Sequence, residues 1–245
     1  MKKILFALSL SLMALGLNAQ GVSPRIELGA SFSNLSYKGW LKNLDSNTKL
    51  GARASLALEL GMADFNVANL YLAPGITYKM GGAMEEQNIL KKEGKITYHS
   101  LSLPVTLGVR FDLFGSLGVS AEVGPYISYA MSANKKIDGT SVDMFGTVKD
   151  VAPDLFNKFS DEFKAGIKDK SLFKRFDAGL NGSIALEVSR FYLRAGVEYG
   201  FVDQFEGDLI KKIKKAKDET VEVLKDIENA NSKHINFFAT VGIRF

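Results

Sequence analysis

The sequence predicts an all-β membrane protein, an eight-stranded antiparallel up-and-down β-barrel of the outer-membrane kind with helices in its third and fourth long extracellular loops. Three observations carry this reading. The first nineteen residues have the form of a secretory signal, eight later segments alternate apolar and polar residues with a period of two, and the connections between those segments alternate short and long.

The signal comes first. Lys2 and Lys3 make a positive start, Ile4 to Leu17 is a short apolar run, and Ala19 supplies a small residue before the cut. Residues 1–19 are therefore expected to be removed, leaving 20–245 as one barrel domain. Loss of Lys2 and Lys3 from the 31 basic residues leaves 29 against 27 acids, a net charge of about +2 and not the balance of a nucleic-acid-binding protein. There is no cysteine, hence no disulfide framework, no thiol chemistry and no lipid-modified cysteine. No later segment offers eighteen unbroken apolar residues for a spanning helix.

The strands are expected near 24–34, 49–60, 68–80, 96–111, 116–130, 175–188, 190–201 and 234–245. Three connections are short: Met62 to Asn66, Asp112 to Gly115, and Ser189-Arg190. Four are long: Leu35 to Thr48, Gly81 to Lys95, Met131 to Lys174, and Val202 to Lys233. Short turns on one side and long loops on the other fit a membrane barrel, with the long loops outside. In loop 3 (131–174) Leu155, Phe159, Phe163 and Ile167 recur at helical spacing. In loop 4 (202–233) Leu209, Ile213, Ala216, Leu224 and Ile227 do the same, so one helix is expected in each.

The last strand sets Ile235, Phe237, Ala239, Val241, Ile243 and Phe245 on one side. His234, Asn236, Thr240, Gly242 and Arg244 fall on the other, with Phe238 the apolar exception. A strand of this kind ending on Phe245 reads as a barrel-closing strand whose Val241, Ile243 and Phe245 are offered to the barrel-assembly machinery during insertion. The same alternation, taken strand by strand, collects an inward set. Its cations are Arg25, Arg53, Lys79, Arg110, Arg194 and Arg244; its acids are Glu27, Glu59, Glu122, Asp177, Glu187 and Glu198. Buried charges must be paired, and eight strands enclose only enough room for side chains. A plugged, salt-bridged lumen is expected in place of a diffusion pore. Outward aromatics near strand ends form two girdles: Phe111, Phe191 and Phe245 toward the short turns, Phe32, Tyr78 and Tyr129 toward the long loops.

Ile96 to Phe111 carries a Leu-Pro followed by aliphatics, and a short turn leads to Glu122-Val-Gly-Pro-Tyr-Ile-Ser-Tyr129. With the Ala-Pro-Gly-Ile-Thr-Tyr-Lys inside Leu70 to Gly82, these segments resemble the PorT-like outer-membrane β-barrel domain family of Bacteroidetes-type bacteria. The resemblance implies an integral outer-membrane barrel with, for most members, no assigned activity. One namesake serves protein secretion, but the matching residues are those that build a barrel, so that role is not carried over.

The two histidines are His99 and His234. A lipid hydrolase would join His99 to Ser100 and an acid, but alternation sends His99 to the lipid side and Ser100 to the lumen. No catalytic residue, metal site or cofactor is expected, and the strand glycines read as small residues making room in a narrow interior. Trp40 and Tyr37 in the first loop are a candidate platform for sugar or peptide, the apolar face of Leu155, Phe156, Phe159 and Phe163 a candidate dock for an envelope protein, and Lys211, Lys212, Lys214 and Lys215 candidate contacts for lipopolysaccharide; packing between loops and a solvated helix face are the plainer readings of the same residues. The expected function is a monomeric, non-enzymatic surface or scaffold protein set in outer-membrane lipid and acting through its loops. The alternatives are a subunit of a secretion or envelope-assembly complex, and a lipid-modifying enzyme.

Overall fold

The computed structural model describes residues 21–38, 45–87, 92–137, 140–147, 164, 171, 173–203 and 231–245. Eight long strands, β1 (Val22–Lys38), β2 (Asp45–Asp64), β3 (Ala68–Gln87), β4 (Lys92–Phe114), β5 (Leu117–Ile137), β7 (Phe176–Val188), β8 (Phe191–Gly200) and β9 (Asn231–Arg244), form one antiparallel sheet, with a short β6 (Thr140–Asp143) beside β5. Each long strand pairs with its neighbours in sequence, and β9 pairs with β1, so the sheet closes into an up-and-down barrel. Closure leaves no edge among the eight.

The polarity is inverted relative to a water-soluble fold. Leu28, Val123, Ile184 and Val241 are 58, 57, 68 and 62% exposed, while Arg25, Arg53, Lys79 and Arg194 are 6, 4, 1 and 2% exposed. Aliphatic side chains turned outward around the whole wall have one compatible solvent, the lipid chain. The six girdle aromatics all point outward. Phe65 and Phe114, at the tips of short turns, extend the girdle on that side.

The strands run further than the alternation alone indicates. The β3–β4 ladder continues from Met80↔His99 to Gln87↔Lys92, and the β2–β3 ladder reaches Asp45↔Glu86. Much of the expected first and second long loops is therefore strand: 35–38 and 45–48 in the first, 81–87 and 92–95 in the second. The cause is physical. Alternation is enforced only where one face meets lipid, and a ladder that has left the membrane continues with polar residues on both faces. Likewise the start of the third loop is strand: β5 runs to Ile137 and pairs with β6. The helices expected in the third and fourth loops lie outside the described residues.

The tightest turns share one geometry. Phe114↔Leu117 is joined by Gly115-Ser116 and Val188↔Phe191 by Ser189-Arg190, and in each the first central residue has positive φ, 57° for both Gly115 and Ser189. Glycine takes that conformation freely, whereas serine meets a steric cost of roughly 1–2 kcal/mol. Ser189→Gly is therefore expected to raise the unfolding free energy by about 0.5–1 kcal/mol, after the greater chain entropy of glycine is offset. Urea titration of the protein refolded in lipid vesicles measures this.

Candidate functional site

Strand alternation sends every second side chain into the lumen, and the lumen holds nearly all the polar chemistry of the barrel. It is organised in two layers. The layer toward the short turns contains Arg25, Arg110, Arg194 and Arg244 against Glu27, Glu59, Glu122 and Glu187. Glu122 is its centre: it takes both Arg25 terminal nitrogens, the Arg194 Nη1 at 2.8 Å, the Tyr71 hydroxyl at 2.8 Å and the Thr106 hydroxyl at 2.9 Å. Glu27 accepts from Tyr192 at 3.0 Å and Thr240 at 3.2 Å and lies 3.4 and 3.2 Å from the Nε atoms of Arg25 and Arg194. Glu59 joins Arg25 to Arg110, and Glu187 joins Arg110 to Arg244 at the rim.

The layer toward the long connections is thinner. Arg53 and Lys79 both donate to Glu198 at 2.8 Å, and Asn181 and Asn236 complete its acceptor sites at 3.3 and 3.1 Å. Asp177 is held differently from the other five acids. Its Oδ2 accepts from the Tyr126 hydroxyl at 3.0 Å, and among the described residues it has no ion pair within 4 Å. Both nearby cations already turn onto Glu198. Between the layers lies a polar cavity of about 20 Å³, lined in part by Arg25, Arg53, Arg194, Thr77 and Phe238, with room for about one water.

A set of inward aromatics that alternation within single strands does not reveal seats these charges. Five inward aromatics lie opposite glycines in direct register: Tyr71 on Gly108, Tyr192 on Gly242, Phe238 on Gly196, Tyr126 on Gly179 and Tyr98 on Gly81. A Cβ at any of these glycines would collide with the facing ring. Four of the rings carry a cation: Arg110 lies 4.9 Å from the Tyr71 ring centroid, Arg194 5.3 Å from that of Tyr192, Arg53 4.0 Å from that of Phe238 and Lys79 5.1 Å from that of Tyr126. Glycine, ring, cation and carboxylate thus repeat around the lumen. Phe238, the apolar exception on the inner face, is one of these rings.

His99 is on the outer surface, where its Nδ1 lies 2.7 Å from the Tyr78 hydroxyl, whereas Ser100 is buried on the lumen side. The two diverge, and no His-Ser-acid set forms around them among the described residues. His234 is buried at the outer end of the lumen with Nε2 2.5 Å from the Tyr98 hydroxyl, a partner that sequence spacing does not reveal. Val241 points to lipid, Ile243 is half-buried, and the Phe245 amide donates to Pro24 at 2.9 Å. Trp40, Phe156, Phe159, Phe163, Lys211 and Lys212 lie outside the described residues.

A closed antiparallel barrel with an apolar exterior and an ion-paired interior defines an integral outer-membrane β-barrel protein. Residues 16–206 match the model of the outer membrane protein beta-barrel domain family, and the chain belongs to that family. It resides in the cell outer membrane. Among solved structures it is similar to Neisserial surface protein A (TM-score 0.44, 10% identity, covering 92% of this chain and 100% of that one). It is similar also to Ail, the attachment invasion locus protein of Yersinia pestis (0.39, 15%, 91% and 98%), and to the outer-membrane enzyme PagL (0.43, 10%, 89% and 98%). No curated protein matches the chain.

Two substitutions test this packing. Glu122→Ala leaves Arg25 and Arg194 buried with a missing partner and is expected to lower the unfolding free energy by about 3–5 kcal/mol in urea titration. Gly108→Ala drives a methyl into the Tyr71 ring, whose hydroxyl is tied to Glu122. The expected loss is about 1–3 kcal/mol in the same titration, and Tyr71→Ala in the same chain should relieve the clash and make the two changes non-additive.

Proposed function

We infer that this protein is a closed, non-enzymatic outer-membrane anchor that presents its long outer connections to a partner. The observation that carries the reading is the saturation of the lumen. In the layer toward the short turns four cations meet four carboxylates, so that layer offers neither a free charge to a permeant ion nor a path for one. The divergence of His99 and Ser100 speaks against a lipid hydrolase built on that pair. With the barrel interior spent on its own stability, specificity belongs to the connections.

This reading includes finer expectations. Residues 1–19 act as the export signal, and Val241, Ile243 and Phe245 are what the barrel-assembly machinery engages. Lipopolysaccharide and an envelope protein are the contacts of the loops, the barrel is a monomer, and the family membership narrows to the PorT-like group.

Deletion of residues 148–170 and 204–230 is the test. The shortened protein is expected to insert and keep its heat-modifiable mobility on gels while losing proteins that co-purify from native outer membranes in mild detergent. The intact protein is expected to show no steady conductance in planar bilayers. Failure of the shortened protein to insert, or a resolvable steady conductance, would sink this division of labour.

A further inference from the structure

We propose that His234 is an acid sensor that unlatches the outer end of the lumen. The inference rests on the closed-lumen reading above and follows from an unbroken hydrogen-bond chain. His234 Nε2 lies 2.5 Å from the Tyr98 hydroxyl, which lies 2.9 Å from the Ser33 Oγ. Ser33 donates to the Asn236 Oδ1 at 3.1 Å, and the Asn236 Nδ2 donates to Glu198 at 3.1 Å. The chain has only one direction. Glu198, charged and holding both Arg53 and Lys79, can only accept, so Asn236 presents its amide nitrogen to Glu198 and its oxygen to Ser33. Ser33 spends its one proton on Asn236, Tyr98 spends its one proton on Ser33, and His234 must therefore donate through Nε2. The charge of Glu198, four hydrogen bonds away, fixes the histidine tautomer.

All four members of the chain apart from the half-buried Tyr98 are buried, and Tyr98 also sits on Gly81 and against the Ala133–Met144 cluster. The ionisable groups of this end of the lumen come from every packed strand: Arg53 on β2, Lys79 on β3, Tyr98 on β4, Tyr126 on β5, Asp177 on β7 and Glu198 on β8, while β1 contributes the uncharged Ser33. With His234 neutral, two cations stand against two carboxylates. A proton on Nδ1 leaves the Nε2 donation intact but makes it three against two in a region that His234 enters only 8% exposed. The cheapest relief is hydration of the mouth by release of the first residues of β9, which begin only three positions before His234. The balanced layer below contains no histidine and should not respond.

Hydrogen exchange of the refolded full-length mature protein in micelles, corrected for intrinsic rates, reads this out at pH 8 and pH 4.5. Acid is expected to cost residues 231–238 and 95–100 about tenfold or more in protection, with residues 184–194 unchanged. His234→Gln supplies the same donor at the same place without a titrating group and should abolish the acid response while keeping neutral protection. Equal acid loss in the wild type and His234→Gln would overturn the proposal, as would unchanged protection of the wild type. Fast exchange of residues 184–194 at pH 8 would overturn it together with the closed-lumen reading.

Discussion

The structure depends on one constraint: an eight-stranded barrel in lipid must turn its polar side chains into an interior too narrow for bulk water. Every charge placed there loses several kcal/mol of hydration per ion and regains it only from another side chain. This explains why the lumen is built from bidentate and shared contacts in place of isolated pairs. Glu122 takes five donors and Glu198 four, which is close to the acceptor capacity of a carboxylate. Carboxylates used so fully are fixed in position, and through them so are the strands that carry the cations.

Charge pairing alone would leave the lumen loosely filled, because guanidinium and carboxylate groups are planar and leave gaps around their stems. The glycine–aromatic pairs supply the volume. Each ring occupies the space that the facing glycine leaves open, and four of the five also receive a cation. Tyr71, Tyr126 and Tyr192 use the hydroxyl as well, donating to Glu122, Asp177 and Glu27. Packing, cation–π attraction and hydrogen bonding are thus made by the same side chain. Register is pinned too, since a slip of one residue would place Tyr192 opposite Val241 or Ile243 instead of Gly242.

This division explains what was legible in the sequence. Alternation is a property of one strand, so Arg110 could be assigned to the interior from Leu101 to Phe111 without knowledge of any neighbour. The closing role of β9 was readable for the same reason. The seat of Tyr71 on Gly108 is a property of two strands and appears only once the register between them is known. Gly108 and Gly242 could be read as small and inward, but not as complements of particular rings. The partnership of His234 with Tyr98 is harder still, because the side chains meet across the lumen from strands 136 positions apart in sequence. The outer ends of β3 and β4 were underestimated because the signal used to find strands, a lipid-facing stripe, vanishes where lipid ends while hydrogen bonding does not.

The two ends of the barrel differ in a way that bears on how such a molecule can respond to its surroundings. At one end the strands are joined by two- and three-residue turns, and the Arg110–Glu187–Arg244 rim ties β4, β7 and β9 together. At the other end ion pairing thins to Glu198 with Arg53 and Lys79, and above it the contacts pass to the neutral groups of Ser33, Tyr98, Asn236 and His234. A neutral hydrogen bond is roughly half as strong as a charge-assisted one. Stability therefore falls from the short-turn end toward the long-connection end. Opening the long-connection end therefore costs less than opening the four-to-four layer beneath it.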